Sequence, residues 1–335
     1  MHKPSDILLD SMGRKHNYLR ISLTEKCNLR CSYCMPAEGL PLMPKKHLMT
    51  REEIFRLAQV FVKHGVDKIR LTGGEPLVRK DFTPILQDLS TLPIDLTLTT
   101  NAVLVDRYID PLKSCGVRSL NVSLDTLQED KFLTITKRDA FKKTLQNIQL
   151  LIREGFHLKL NVVLMKGFND NEIIDFISLT KALPIALRFI EFMPFHGNKW
   201  DKSQLVTQKE ILQTAAHHFG AGQLFPLEIE ANATAKNYKI AGHKGSFGII
   251  SSVSNPFCDT CNRIRLTADG KIKNCLFSND ELDLLTPLRE NTFSETLISD
   301  VISRKKAVRG GMTSFEALND PKNHSQNRSM LAIGG

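Results

Sequence analysis

The sequence predicts an α/β fold in which six βα units form a partial, TIM-like (β/α)6 barrel, followed by a smaller C-terminal α+β extension. Six short β-rich runs recur within the first 195 residues, and helix-like segments separate them. Strands that alternate with helices are typical of parallel βα units. After about residue 195 this rhythm changes, so we expect the barrel core to cover 1–194 and the extension to cover 195–335.

The predicted strands are short and are followed by helix-like or turn segments. In the barrel they are "YLRISLT" (18–24), "KIRLTGG" (68–74), "DLTLTTN" (95–101), "SLNVSLD" (119–125), "LKLNVVLM" (158–165) and "ALRFIEFM" (186–193). The extension contains two further strand-like pieces, "KNYKIAG" (236–242) and "FGIISSV" (247–253).

The first predicted helix, 50–65, is the most clearly marked. Thr50 and Glu53 have the spacing of a capping box, and Gly65 ends the pattern. Apolar residues at helical spacing form one stripe: Ile54, Leu57, Ala58 and Phe61. Further helical patterns cover roughly 82–90, 104–114, 138–154 and 170–182, and one amphipathic helix lies within 196–220.

Several predicted strands carry polar or cationic residues at every second position. The alternating sets are Arg20 and Ser22, Arg70 and Thr72, Thr97 and Thr99, Asn121, Ser123 and Asp125, and Lys159 and Asn161. If these sets face inward, the lumen is wet and holds a polar, anionic ligand, unlike the apolar interior of a closed eight-stranded barrel. If they face outward, the strands are merely half-exposed. The outward arrangement is the weaker alternative, because covering helices would bury those charges.

The composition is that of a globular protein with a basic balance. The 335 residues include 45 Lys and Arg against 36 Asp and Glu, for a net charge of +9, and only 7% are aromatic. Without a block of like charges or an aromatic platform, this balance favours a polyphosphate ligand over nucleic acid. No signal peptide and no membrane span are predicted, so we expect a cytoplasmic protein that does not contact a membrane.

Six of the seven cysteines fall into two compact groups. Cys27, Cys31 and Cys34 have the spacing C-x3-C-x2-C. Three thiols are an odd number for disulfides and one ligand short of a closed zinc site. An iron–sulfur cubane held by three thiolates leaves its fourth iron open, as a catalytic cluster requires. The alternatives are chance spacing or a distorted zinc knuckle that recruits His47.

The second group, Cys258, Cys261 and Cys275, has the spacing C-x2-C-x13-C and again supplies three sulfurs. Two zinc sites each lacking one ligand would be a strange coincidence, so a second cubane fits best. Arg263 and Arg265 alternate on a strand between the ligands; the alternative for them is a solvated basic strand. The seventh cysteine, Cys115, is predicted to be a small buried apolar residue.

The first cysteine group resembles that of the radical S-adenosylmethionine (SAM) enzymes. It follows the first predicted strand, and "TGGEP" (72–76) closes the second, as their glycine-rich motif does. The resemblance implies a partial barrel of six βα units and a [4Fe–4S] cluster that binds SAM. In these enzymes the reduced cluster splits SAM to methionine and a 5′-deoxyadenosyl radical.

The whole motif set resembles the family of GTP 3′,8-cyclases, which act first in molybdenum cofactor biosynthesis. The matching stretches are "LRISLTEKCNLRCSYCMP", "KIRLTGGEPLVRKD", "LTTNA", "NVSLD", "RFIEFM", "FCDTCNRIRLTADGKIKNCLF" and the final "IGG". The chain departs from the family in having Lys26 where arginine is usual and Ala102 where glycine is favoured. The resemblance implies cyclisation of GTP to (8S)-3′,8-cyclo-7,8-dihydroguanosine 5′-triphosphate.

The resemblance also assigns roles to residues. Two [4Fe–4S] clusters are implied, a SAM cluster on Cys27, Cys31 and Cys34 and a substrate cluster, which binds guanine, on Cys258, Cys261 and Cys275. The implied SAM contacts are Tyr33, Gly74, Ser123 and Met193. The implied GTP contacts are Arg20, Lys68, Arg70, Thr99, Lys159, Arg188, Arg263, Ile264 and Arg265. Arg265 and a C-terminal tail ending in Gly334 and Gly335 are the candidates for a catalytic role.

The family further implies a homodimer, an external one-electron donor and transfer of the product to cyclic pyranopterin monophosphate synthase. Two other hypotheses remain open from the sequence. One is a radical enzyme with an auxiliary cluster that modifies a peptide. The other is a non-enzymatic zinc protein that binds nucleic acid.

Overall fold

The computed structural model describes residues 6–35, 43–324 and 326–334 and contains one twelve-stranded sheet. Its strands are β1 (Tyr18–Ser22), β2 (Lys68–Thr72), β3 (Asp95–Thr100), β4 (Ser119–Ser123), β5 (His157–Leu164), β6 (Ala186–Glu191), β7 (Leu224–Pro226), β8 (Lys236–Ile240), β9 (Ser246–Ile250), β10 (Arg263–Leu266), β11 (Lys271–Lys273) and β12 (Leu282–Asp283).

The order across the sheet is β12-β11-β10-β1-β2-β3-β4-β5-β6-β9-β8-β7. Strands β1 to β6 pair in parallel and in sequence, and β10 and β9 extend this parallel sheet beside β1 and β6. The outermost strands pair antiparallel. Because β7 and β12 end the order without pairing to each other in the described chain, the barrel is open, as predicted.

The structure describes helices of which most cover the outer face of the sheet. They are α1 (Arg51–Lys63), α2 (Phe82–Ser90), α3 (Ile109–Ser114), α4 (Glu129–Thr136), α5 (Phe141–Arg153), α6 (Ile173–Ala182), α7 (Gln208–Phe219), α8 (Leu285–Arg289), α9 (Thr296–Ser303), α10 (Phe315–Asn319) and α11 (Met330–Ile333). None of those in the described part of the chain has the length and apolar character needed to cross a membrane.

Helix α1 forms as the sequence predicts. Thr50 accepts a hydrogen bond from the Glu53 N–H, and the Glu53 carboxylate accepts one from the Thr50 N–H, which completes the capping box. The predicted apolar stripe is buried against the sheet: Ile54, Leu57, Ala58 and Phe61. Burial of one such large side chain stabilises the fold by about 2 kcal/mol. Gly65 follows the helix with φ of 104°, a conformation suited to glycine.

Helix α4 is not among the predicted helices. Its sequence, "EDKFLTIT", is only eight residues long and buries only Phe132, Ile135 and Thr136. Such a short segment with β-branched residues gives little helical periodicity. The other barrel elements lie within a few residues of their predicted bounds.

The hydrophobic core lies between the outer face of the sheet and the helices. Outward-facing residues such as Leu19, Ile21, Ile69 and Leu71 are fully buried there. The alternate residues of the same strands line the inside of the barrel. The polar sets therefore face inward, which decides between the two arrangements in favour of the wet lumen. The boundary at residue 195 stays a prediction, since β9 and β10 continue the barrel sheet directly.

Candidate active site

One cavity of about 480 Å³ runs along the inner face of the sheet and contains both cysteine groups. All six grouped cysteines line it, as do the predicted SAM contacts Tyr33, Gly74, Ser123 and Met193 and the predicted GTP contacts Arg20, Lys68, Arg70, Thr99, Lys159, Arg188, Arg263 and Arg265. Of the remaining predicted residues, Ile264 and Gly334 are not among those that line the cavity, and Gly335 lies outside the described residues.

The two cysteine groups lie at opposite ends of the parallel strands. Cys27 to Cys34 follow the carboxyl end of β1, whereas Cys258 and Cys261 precede β10, which is parallel to β1. Cys275 follows β11, whose antiparallel direction brings it back to the same end. Since five strand residues span roughly 15 Å, the two ends can hold two ligands with space between them.

The cysteines of the first group are half-buried, and amide groups contact the Cys27 sulfur. The Cys27 sulfur accepts hydrogen bonds from the Leu29 N–H at 3.4 Å and from the Asn101 side chain at 3.8 Å. Burial raises the pKa of Cys27 to about 12, although the Leu29 N–H opposes the shift. A hydrogen bond with Cys34, together with burial, also raises the pKa of Cys31. These thiols are therefore neutral until a metal replaces their protons.

The second group lies among cations. The Cys258 sulfur is 3.5 Å from the Arg309 N–H, and the Cys261 sulfur is 3.4 Å from the Lys305 ammonium. Although burial opposes it, the charges of Lys305 and Arg263 lower the pKa of Cys261 to about 6. Cys261 is thus prepared as a thiolate, the form that ligates metal.

Both groups supply three thiols to one cavity, and such a donor set fits a cubane whose fourth iron is open to another ligand. Within residues 6–35, 43–324 and 326–334, no three His, Cys, Asp or Glu side chains gather tightly enough to hold one metal ion. A cubane distributes its thiolates over different irons and so accepts a wider arrangement. Cys115 stands apart, and it is only half-buried rather than buried as predicted.

Gly74 is required by a close approach between two loops. A Cβ there would lie 2.5 Å from the Lys26 carbonyl oxygen, and the Gly74 N–H donates to the Thr24 carbonyl at 2.7 Å. The glycine-rich turn after β2 is therefore packed directly on the chain that leads into the first cysteine group. Nearby, the Tyr33 hydroxyl donates to Asp125 at 2.6 Å.

The middle of the cavity is crowded with cations. Burial and repulsion from Arg188 and Arg70 lower the pKa of Lys159 to about 8. Burial and Arg70 likewise lower the pKa of Arg188 to about 10. Burial, Arg265 and Arg70 lower the pKa of Arg20 well below its usual range. Neighbouring cations that repel one another in a buried site are stabilised by a polyanionic ligand.

Some of these cations have protein partners. Lys68 forms an ion pair with Asp95, and Arg70 donates to the Tyr18 hydroxyl and to the Leu98 carbonyl. Sequence reasoning missed Tyr18, although it alternates with Arg20 on β1 and so shares its face. Burial would raise the pKa of Tyr18, but Arg70 and Arg20 lower it to about 8.

Several buried polar atoms in the cavity have no hydrogen-bond partner among the residues that the structure describes. Among them are Thr99 Oγ1, Asn121 Oδ1, Asn161 Oδ1, Arg188 Nε, Asn262 Oδ1 and Arg263 Nη2. Buried polar atoms are rarely left unpaired unless a ligand or water satisfies them. They offer both donors and acceptors, as a polar nucleotide requires. The sequence pattern gave Asn121 and Asn161 only as inward-facing residues.

Ile264 and Gly334 lie outside the set of residues that line the cavity. The Ile264 side chain is fully buried in the hydrophobic core, so only its backbone is open to a contact in the cavity. Gly334 accepts a hydrogen bond at its carbonyl from Arg265 at 2.9 Å. A Cβ on Gly334 would lie 2.5 Å from Thr72 Oγ1 and 2.9 Å from Ser22 Cβ. Gly335 lies outside the described residues.

Similarity to known proteins agrees with this architecture. Residues 21–180 match the Radical SAM superfamily, and residues 185–310 match Molybdenum Cofactor Synthesis C. The solved structure of Streptococcus suis SuiB bound to S-adenosylmethionine superposes with a TM-score of 0.62 at 15% identity, covering 87% of this chain and 68% of that one. The fold and the first cysteine group thus define a protein of the radical SAM class.

Proteins of similar sequence identify the family within this class. The chain is 48% identical over 88% of its length to molybdenum cofactor biosynthesis protein 1 of Drosophila melanogaster, of which it covers 52%. It is 46% identical to the mitochondrial GTP 3′,8-cyclase of Arabidopsis thaliana and 42% identical to the GTP 3′,8-cyclase of Alkaliphilus oremlandii, covering 84% and 99% of those proteins. The chain belongs to the GTP 3′,8-cyclase family, although it spans only about half the length of its animal relatives.

Proposed function

We propose that this chain cyclises GTP to (8S)-3′,8-cyclo-7,8-dihydroguanosine 5′-triphosphate by radical SAM chemistry. The observation that carries the proposal is the single cavity, which has a cysteine triad at each end and buried cations between them. This arrangement suits a SAM molecule at one end, a purine at the other and a triphosphate on the cations. Family membership supports the same reaction.

The first triad, Cys27, Cys31 and Cys34, would hold the SAM cluster. When bound and reduced, that cluster supplies the electron that splits SAM and yields the radical which removes hydrogen from C3′ of GTP. The chain's own contribution is to fix SAM and GTP in line and to exclude water. We assign SAM to Tyr33, to the Gly74 backbone, and to Ser123 and Met193.

The cations of the cavity would bind the triphosphate. Arg20, Arg70 and Arg188 can make two-pronged contacts with phosphate oxygens, and Lys159 and Lys68 can act as point charges. Thr99 carries an unpaired hydroxyl for a further contact. The cluster on Cys258, Cys261 and Cys275 would hold the guanine, flanked by Arg263, Arg265 and the backbone of Ile264.

The tail would complete the site from the side of β1 and β2. Gly334 lies against Ser22 and Thr72 at the carboxyl ends of these strands, and its carbonyl accepts from Arg265. We propose that this hydrogen bond fixes the Arg265 guanidinium beside the reacting ribose. Only residues without side chains suit such a position.

Other aspects of the function follow from family resemblance and are proposals of the same kind. They are a homodimeric state, an external one-electron donor, a cytoplasmic location and delivery of the product to cyclic pyranopterin monophosphate synthase. No nucleic-acid or membrane partner is proposed.

The test is anaerobic reconstitution with iron and sulfide, followed by incubation with a reductant, SAM and GTP deuterated at C3′. We expect two sulfide-containing clusters, deuterium in the 5′-deoxyadenosine formed and a product that is an isomer of GTP. Cys258→Ala should abolish the product, whereas Cys115→Ala should not. Zinc without sulfide, or deuterium-free 5′-deoxyadenosine, would contradict the proposal. Titration with GTP separates it from a peptide-modifying enzyme, which would not bind GTP.

A further inference from the structure

A buried lysine lies behind the second cysteine triad. Lys305 follows helix α9 and is only 4% exposed. Its ammonium donates to the Cys261 sulfur at 3.4 Å and to the Arg263 carbonyl oxygen at 3.0 Å. A lysine is seldom buried this completely without a specific partner, and here one of its partners is a proposed cluster ligand.

The N-terminal segment holds Lys305 in this position. His16 is fully buried, with Nδ1 3.5 Å from the Lys305 ammonium and Nε2 3.1 Å from Asp10 Oδ2. If the imidazole donates from Nε2 to Asp10, its Nδ1 is free to accept from Lys305. Arg14 pairs with Asp10 at 2.6 Å and donates to the Cys258 carbonyl at 2.8 Å. The segment thereby anchors both Lys305 and the backbone of the triad.

The first triad lies in different surroundings, although Arg30 donates to the Cys27 carbonyl there at 2.9 Å. Glu75 and Asp125 line the cavity beside it, and both are buried carboxyl groups. The donors to the Cys27 sulfur are the neutral amides of Leu29 and Asn101. Charge and hydrogen bonds to the sulfurs are the main determinants of the reduction potential of an iron–sulfur cluster.

We propose that Lys305 raises the reduction potential of the cluster on Cys258, Cys261 and Cys275. A reduced cluster carries one more negative charge, and a buried cation that donates to a ligand sulfur stabilises that charge. This inference rests on the proposed function, because it requires a cluster at the second triad.

The first experiment measures that potential directly. In a background with Cys27, Cys31 and Cys34 replaced by alanine, only the second triad can hold a cluster. Redox titration followed by electron paramagnetic resonance should give a more negative potential for Lys305→Met, with Lys305→Arg remaining close to the parent. Lys306→Met is the matched control, since Lys306 is the next residue, carries the same charge and is exposed.

A second experiment detects the hydrogen bond itself. With ¹⁵N-labelled lysine, the reduced cluster should show a lysine nitrogen hyperfine coupling that Lys305→Gln removes and Lys306→Gln retains. If Lys305→Met fails to hold iron, the Lys305→Gln variant serves for the titration as well.

The outcomes separate this inference from the proposed function. A parent protein without iron and sulfide at the second triad overturns the proposed function. A fully loaded Lys305 variant with unchanged potential and unchanged coupling overturns only the role of Lys305.

Discussion

Gly334 shows how strictly a single residue is constrained at the site. It has φ of 74° and is enclosed by Thr72 and Ser22, so neither its backbone nor its surroundings accept a Cβ. Ala102, by contrast, adopts φ of 62° with a side chain in place, at a position where the family favours glycine. Position 102 therefore tolerates a side chain on a strained backbone, whereas position 334 has no space for a side chain.

We expect Gly334→Ala to lower the turnover of GTP at least tenfold. A Cβ 2.5 Å from Thr72 Oγ1 must displace the tail and with it the carbonyl that Arg265 contacts. Iron content and GTP affinity should be nearly unchanged. The control is Gly222→Ala, because a Cβ there meets no atom within 4 Å. Full turnover in the Gly334 variant would exclude the tail from the reaction.

We expect Lys159 to make the proposed binding of GTP depend on pH. Burial, Arg188 and Arg70 lower its pKa to about 8, and a bound triphosphate should raise it again. Above pH 8, binding of GTP therefore requires uptake of a proton. The affinity for GTP should fall in this range by up to about tenfold per pH unit for each proton taken up, and it should not change with pH below about pH 7.

Calorimetric titration with GTP from about pH 7 to 9.5 measures this dependence. Tyr18, whose pKa is about 8, contributes with the same sign because its anion repels phosphate. Lys159→Arg keeps its charge over this range, so it should remove the part of the pH dependence that is due to Lys159. Adding Tyr18→Phe should remove the remaining part. An affinity that rises with pH would contradict the proposed role of both residues.

At the scale of elements, function depends on how loops from different strands are docked. The turn after β2 touches the loop after β1 at Gly74, and the loop after β9 touches the segment after α9 at Arg309. In each case hydrogen bonds that involve the backbone, rather than an apolar side chain, hold the cysteine-bearing loop.

We expect Gly74→Ala to lose the SAM cluster selectively. A Cβ there would lie 2.5 Å from the Lys26 carbonyl oxygen, so the loop that carries Cys27 must shift. Iron and sulfide should drop to about half of the parent content, because only the first of two clusters is affected. The spectrum of the remaining cluster should match that of the triple cysteine variant. Unchanged iron content would show that the loop absorbs the clash.

Arg309 ties together two segments of the extension. Its guanidinium is buried and donates to the carbonyls of Val253 at 2.7 Å, Met312 at 3.0 Å and Thr313 at 3.0 Å. Arg309→Ala leaves these carbonyls without that donor and should cost roughly 3 kcal/mol or more. The urea midpoint of unfolding should fall clearly, whereas Arg304→Ala, at an exposed site, should leave it nearly unchanged.

At the scale of the whole molecule, the two ends of the cavity should be separable. Cys275→Ala removes a ligand at the end of the cavity opposite the SAM triad. We expect this variant to form 5′-deoxyadenosine from SAM but no cyclised nucleotide, since the first triad is intact and the guanine has lost its anchor. Chromatography measures the amounts of 5′-deoxyadenosine and of cyclised nucleotide, and Cys115→Ala is the control. Normal cyclisation in the Cys275 variant would remove the second cluster from the reaction.

Sequence patterns predicted much of this molecule because its main signals are local. The alternation along β1 to β5 placed Arg20, Arg70 and Lys159 in the lumen, since side chains on a strand have a fixed period of two. The contacts of Lys305 with Cys261 and His16 join residues far apart in the chain. They depend on how the N-terminal segment folds back onto α9, which no local pattern records.

The extension supplies the strands on both flanks of the six central ones, since β9 pairs with β6 and β10 pairs with β1. A fragment that ends at residue 194 would thus leave the outer edges of β1 and β6 with unpaired backbone amides and carbonyls. Such exposed strand edges promote edge-to-edge aggregation. Both halves of the chain must consequently be made and folded together, and neither is expected to survive as a free-standing unit.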